Sequence, residues 1–154
     1  MSVSVPGTPT RLLHILIIED NEDHLELTRE ALEEAGVQNP ILVAASLQQA
    51  RERLRICQEA AREGGGRLPC VVLLDLRLPD GSGLDLLREI KQNPALRMVP
   101  VVVLTSSEDT PDINRAYLLG ANSYLVKPIV FAEFHQRIRE AGLYWALLNR
   151  PYQG

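Results

Sequence analysis

The chain has 154 residues, 45% of them hydrophobic and 23% charged, with sixteen Lys and Arg against twenty Asp and Glu for a net charge of −4. Such a length fits one domain around one core, and these fractions exclude disordered, collagen-like and disulfide-rich classes. There is no basic run or tail to displace counterions from a nucleic-acid backbone, so nucleic acid is not an expected partner.

The first segment, MSVSVPGTPTR, is rich in Ser, Thr and Pro, lacks an apolar signal core and reads as a flexible tail over 1–11. Five short apolar runs follow: Leu12–Ile18, Ile41–Ala45, Cys70–Leu74, Val101–Leu104 and Ser123–Val126. Most are continuous rather than alternating, as in strands covered on both faces. None approaches the length of a membrane span, and the expectation is a soluble cytoplasmic protein. Between the runs the spacing turns helical. Glu22–Ala35 carries Leu25, Thr28, Leu32 and Ala35 on one side and stops at Gly36. Ser46 opens the next helix, with Gln49 completing a capping box and Leu47, Ala50, Leu54, Cys57 and Ala61 forming its stripe. Gly64-Gly65-Gly66 ends it. Gly83–Gln92 turns Leu84, Leu87 and Ile90 inward before Asn93-Pro94. Pro111–Leu119 starts with Pro in its first turn and ends at Gly120, and a last helix spans Val130–Asn149. Cys57 and Cys70 have neither CxxC spacing nor a nearby His and read as core thiols. Strands alternating with helices predict (βα)5 with a parallel sheet and right-handed crossovers.

In open α/β sheets ligands bind at the carboxyl ends of the strands. The first run is followed by Glu19 and Asp20, the third by Asp75, the fourth by Thr105 and Ser106, and the fifth by Lys127 and Pro128. Each alone reads as a solvated loop residue; gathered on one edge they make a chemical site. Three carboxylates repel unless a cation neutralises them. An all-oxygen set without His or thiolate suits Mg²⁺ rather than zinc. Mg²⁺, an ammonium and a hydroxyl around one carboxylate are the parts that hold a transferring phosphoryl group, with Asp75 on the central strand as the nucleophile forming an acyl phosphate. The Thr105 hydroxyl and the backbone N–H after it could bind the phosphoryl oxygens.

Glu19-Asp20, Asp75 after VVLL, Thr105-Ser106 after VVVL and Lys127-Pro128 after SYLV resemble a response-regulator receiver domain, as do LPDGSG at 78–83 and GAN at 120–122. The resemblance runs from about Leu12 to Arg139. It implies a flavodoxin-like (βα)5 receiver fold with strand order 2-1-3-4-5 over 12–140. It further implies Asp75 as phosphoacceptor, Asp20 as Mg²⁺ ligand with Glu19 acting mostly through water, and the backbone carbonyl of Arg77 as a further ligand. Thr105 would be the switch hydroxyl, Lys127 the phosphoryl clamp joined to Pro128 by a cis bond, and Tyr124 the switch aromatic. The other reading of Tyr124 is an ordinary strand ring. The implied partner is a sensor histidine kinase. The implied role is that of a signalling phosphoacceptor, assisting only its own phosphorylation and dephosphorylation, rather than an enzyme.

A helix over Val130–Asn149 would be about 30 Å long, against about 17–20 Å for a strand of five or six residues. Its end therefore overruns the sheet. Phe131, Phe134, Ile138, Ala141, Trp145 and Leu148 form one seam, and past Glu140 the helix is apolar nearly all round. An overhang of that kind marks an interface, so 141–154 is expected to be a dimerising extension of the last helix in a homodimer. The alternative is a fold-back over the N-terminal tail with a kink at Gly142. The YWALLNRP ending resembles stand-alone receivers paired with bacterial phytochromes, which implies such a kinase as partner and output through protein contacts or onward phosphotransfer. All seven aromatic side chains lie from Tyr117 onward, so residues 1–116 offer no rings for stacking bases. Two other readings stay open. One is a phosphorylation-independent scaffold; the other is an aspartate-nucleophile phosphatase, against which Arg77 stands where a second carboxylate is wanted.

Overall fold

The structure is a computed structural model and describes residues 13–106 and 110–140. In chain order the elements are β1 (Ile15–Ile18), α1 (Glu22–Glu34), β2 (Ile41–Ala44), α2 (Leu47–Arg62), β3 (Val71–Asp75), β4 (Arg77–Leu78), β5 (Gly81–Ser82), α3 (Gly83–Gln92), β6 (Val101–Thr105), α4 (Thr110–Leu118), β7 (Ser123–Val126) and α5 (Phe131–Glu140). The main sheet has the order β2-β1-β3-β6-β7 and every pairing in it is parallel. With the small antiparallel hairpin β4-β5 set aside, this is the expected 2-1-3-4-5 arrangement of a flavodoxin-like receiver fold.

The continuous apolar runs have the reason assigned to them. Every residue of β1, β3 and β6 is buried, because successive side chains point to opposite faces and both faces are covered. Leu16, Ile18, Val72, Leu74, Val101 and Val103 pack in one core with Leu54 of α2 and Leu87 and Ile90 of α3. Ile15, Ile17, Val71, Leu73, Val102 and Leu104 pack in the other with Leu32 of α1 and Phe134 of α5. Cys70 is buried and Cys57 half-buried, both free; burial pushes the Cys70 thiol up to about 11, as suits a core thiol.

Helix starts are fixed by side chains that satisfy the first amides. Asn21 Oδ1 accepts from His24 N at 3.0 Å, and Ser46 Oγ accepts from Gln49 N at 3.1 Å. The capping box over Ser46–Gln49 is closed one residue early, since Gln49 Oε1 accepts from Ala45 N at 2.8 Å. Asp80, in the β4-β5 turn, adds a cap from outside, accepting from Leu47 N at 2.8 Å and Gln48 N at 3.0 Å. Those amides hold the Asp80 carboxyl below its usual range. Gly83 matters for the site itself. A Cβ there would lie 2.3 Å from the Asp75 carbonyl oxygen, so only glycine lets α3 begin against the end of β3.

Boundaries differ by small steps. The first strand starts at Ile15, where Ile15 N meets Pro40 O at 2.9 Å and the ladder begins, so Leu13 and His14 of the expected run fall outside it, while Leu12 lies outside the described residues. The third and fourth run one residue further, to Asp75 and Thr105, and α4 covers Thr110–Leu118. Helix α3 also buries Leu86, beside the three residues expected. The expected tail over 1–11, the helix beyond Glu140 and the extension 141–154 with Trp145 and Leu148 lie outside the described residues. Among the described residues no helix is long and apolar enough to cross a membrane.

Candidate functional site

Parallel pairing brings the strand ends to one edge. Glu19 follows β1 and is held by its amide on Ala44 O at 2.9 Å; Asp75 closes β3 opposite Leu104; Thr105 closes β6 and is buried. Lys127 follows β7, donates its amide to Thr105 O at 2.7 Å and is joined to Pro128 by a cis bond. The ammonium of Lys127 lies 2.5 Å from Glu19 Oε1 and 2.8 Å from Asp75 Oδ2, with the three side chains 7%, 0% and 8% exposed. The other carboxylate oxygens are also engaged. Glu19 Oε2 accepts from Asn21 N and Asp75 Oδ1 from Arg77 N, each at 3.1 Å.

A charge withdrawn from water is costly unless paired, and the site carries that tension. Burial, together with the nearby Asp75 charge, pushes the Glu19 carboxyl up; the Lys127 ammonium and the Asn21 amide pull against it. Exposed Asp20 completes the acidic group, in which one oxygen each from Glu19, Asp20 and Asp75 lie within 4.8 Å of one another. An all-oxygen cluster of three carboxylates fits a hard divalent cation. Glu19 offers it a buried Oε1 that is ion-paired with Lys127 yet accepts no hydrogen bond.

The sequence-predicted residues are thus placed unequally. Glu19, Asp20, Asp75 and Lys127 come together, Thr105 ends the neighbouring strand, and Arg77 meets Asp75 through its amide while its side chain is exposed. Tyr124 belongs to a different surround. Its half-buried ring on β7 meets Tyr117 of α4 edge-on, with centroids 5.9 Å apart at 85°. The Arg137 guanidinium of α5 lies 4.7 Å over it, and Arg137 Nη2 donates to its hydroxyl at 3.4 Å.

Two residues escaped the sequence reading. Arg137 is one. The other is His24, whose Nδ1 lies 3.1 Å from Lys127 Nζ. A weak signal existed, since His24 stands four residues after Asp20, one turn into α1. With Leu27, Thr28, Ser106, Lys127, Pro128 and Ile129 it lines a cleft of about 330 Å³ beside the carboxylates.

The family model of the response regulator receiver domain matches residues 15–139. A probable methanogenesis regulatory protein, FilR2 of Methanothrix harundinacea, is 42% identical over 137 residues, 88% of this chain and 85% of that protein. Among solved structures, the bacteriophytochrome response regulator AtBRR is 42% identical with a TM-score of 0.76, over 92% of this chain and all of the other. The Mn²⁺-bound form of response regulator Rcp1 is 32% identical with a TM-score of 0.65, over 86% of this chain and 92% of that one.

Proposed function

The chain belongs to the response regulator receiver domain family, and from that premise we propose that it is a stand-alone response regulator that takes a phosphoryl group from a partner histidine kinase onto Asp75. The observation that carries this reading is the buried Lys127 ammonium, 2.8 Å from Asp75 Oδ2 within a cluster of three carboxylates. A carboxylate pinned beside a fixed cation, at the end of a central strand, is oriented before any phosphodonor arrives.

In the reaction, a carboxylate oxygen of Asp75 attacks phosphorus. The phosphorus–nitrogen bond of the donor phosphohistidine breaks, its electron pair staying on the imidazole nitrogen, and an acyl phosphate forms. Lys127 holds charge of the incoming phosphoryl oxygens, and the Thr105 hydroxyl donates to one of them. Asp20 and Asp75 are the residues to hold Mg²⁺, with Glu19 behind them and the Arg77 carbonyl as a further oxygen. When bound, the ion offsets negative charge between carboxylates and phosphoryl group. A divalent ion in this family has support in the Mn²⁺-bound form of Rcp1.

The output follows from Tyr124. Drawing Thr105 toward a phosphoryl group opens space at the end of β6, and movement of the Tyr124 ring would alter its contacts with Tyr117 and Arg137 and so the α4-β7-α5 face. Likeness to bacteriophytochrome response regulators, AtBRR over its whole length, supports a bacterial phytochrome as the kinase, action without an output domain, and 12–140 as the receiver. Residues 141–154 are assigned to dimerisation.

Incubation with acetyl phosphate and Mg²⁺ should label the wild type and leave Asp75→Asn unlabelled by intact mass. Equal labelling of the two would overturn the assignment.

A further inference from the structure

The Lys127 ammonium has three hydrogens and, in this structure, three polar neighbours. Asp75 Oδ2 accepts a hydrogen bond at 2.8 Å, while Glu19 Oε1 is an ion-pair partner without an aligned hydrogen bond. The third is His24 Nδ1 at 3.1 Å. An ammonium only donates, so Nδ1 accepts and the hydrogen-bond network assigns the ring proton to Nε2. His24 is well placed to hold a direction. It sits on the first turn of α1, its amide held by Asn21 Oδ1 and its carbonyl accepting from Thr28 Oγ1, each at 3.0 Å. Leu27, Pro128 and Ile129 give the cleft around it an apolar wall.

We propose that His24 is a positioning residue for Lys127, a neutral third anchor that aims the ammonium at Asp75. The inference rests on the reading of Asp75 as phosphoacceptor. Its physical content is separate from that reading. A lysine side chain is a flexible four-carbon stem, and of the two carboxylates only Asp75 fixes an N–H direction by a hydrogen bond, Glu19 acting through charge. A third anion at this place would add to the repulsion among the carboxylates and compete for the cation. A neutral imidazole nitrogen fixes a second direction without charge, and its weaker hydrogen bond lets the ammonium re-aim when new phosphoryl oxygens reach Asp75. A helical anchor also serves better than a loop, since a rigid element holds the group to the geometry that the reaction uses.

The test compares His24→Leu with His24→Asn, whose side-chain oxygen stands near the place of Nδ1, in the full-length protein. With acetyl phosphate and saturating Mg²⁺, His24→Leu should be labelled about fivefold more slowly. His24→Asn should restore most of the rate, and Mg²⁺ affinity by calorimetry should be unchanged in both. The second readout needs no phosphodonor. In ¹⁵N-lysine spectra of the metal-free protein, the slowly exchanging Lys127 ammonium signal should be lost in His24→Leu and kept in His24→Asn. Wild-type labelling and an unchanged ammonium signal in His24→Leu would overturn the proposal. A wild type that takes no label would instead overturn the role of Asp75, and the ammonium signals would still decide on His24.

Discussion

Glu52 and Glu19 each hold a cation at 2.5 Å, Arg55 in α2 for the first and Lys127 for the second. Their carboxyls nonetheless move in opposite directions. Glu52 is 56% exposed in its side chain, and its hydrogen bond to Arg55 lowers it against little desolvation. Glu19 is 0% exposed, and burial outweighs the pull of Lys127 and raises it. Contact distance is therefore no measure of what an ion pair does. Around Arg55, water screens both partners and the pair is nearly free to form or break. Around Lys127 the charges are committed, and removing one leaves the others unpaired in a poorly hydrated place. The same withdrawal from water that makes the cluster costly makes its field effective on a phosphoryl group.

The comparison can be broken most directly at the buried cation. Lys127→Ala should lose about 3 kcal/mol of unfolding free energy in urea, and label with acetyl phosphate about a hundredfold more slowly. A loss below about 1 kcal/mol would mean that the buried cluster behaves like a surface pair.

A finer cut follows the carboxyls themselves. The raised Glu19 carboxyl keeps, in the folded protein, a proton that the unfolded chain has released. Its contribution therefore favours folding below the ordinary value of 4.5 and is lost as pH rises through the raised one. Glu52 works the other way. Its contribution is present above 4.5 and is lost as pH falls through its lowered value. Carboxyl-detected NMR titration in the presence of chelator should place the two midpoints on opposite sides of 4.5. Midpoints on the same side would end the contrast.

The smallest effect belongs to the surface. Arg55→Ala breaks ion pairs to both Glu52 and Glu59, yet its melting midpoint should match the wild type within error at physiological salt. A clear drop would show that the α2 network is coupled to the core.

Much of the site was legible because a parallel sheet is strict about position. Continuous apolar runs such as VVLL and VVVL fit strands buried on both faces, and the residue after each run then falls on the same edge. That is why Glu19, Asp75, Thr105 and Lys127 could be grouped from sequence alone. Boundaries were less firm, as at Leu13 and His14, because a strand ends where its neighbour stops pairing and not where apolar residues stop. The contacts that escaped join residues far apart in the chain: His24 with Lys127, Asp80 with the start of α2, and Arg137 with Tyr124. Nothing in local spacing says which turn of one helix will meet which strand end.

By itself the sequence determined the fold class, the strand order through its family motifs, and the residue types offered at the ligand edge. The fold class and the residue types follow from periodicity and from chemistry carried one residue at a time; the strand order is what the resemblance implied. Only the tertiary structure decided that the Glu19 side chain is withdrawn from water while that of Glu52 is not, that Lys127 meets His24, and that Tyr124 is held between α4 and α5. Those are properties of distance and solvation between separate segments, and packing sets both.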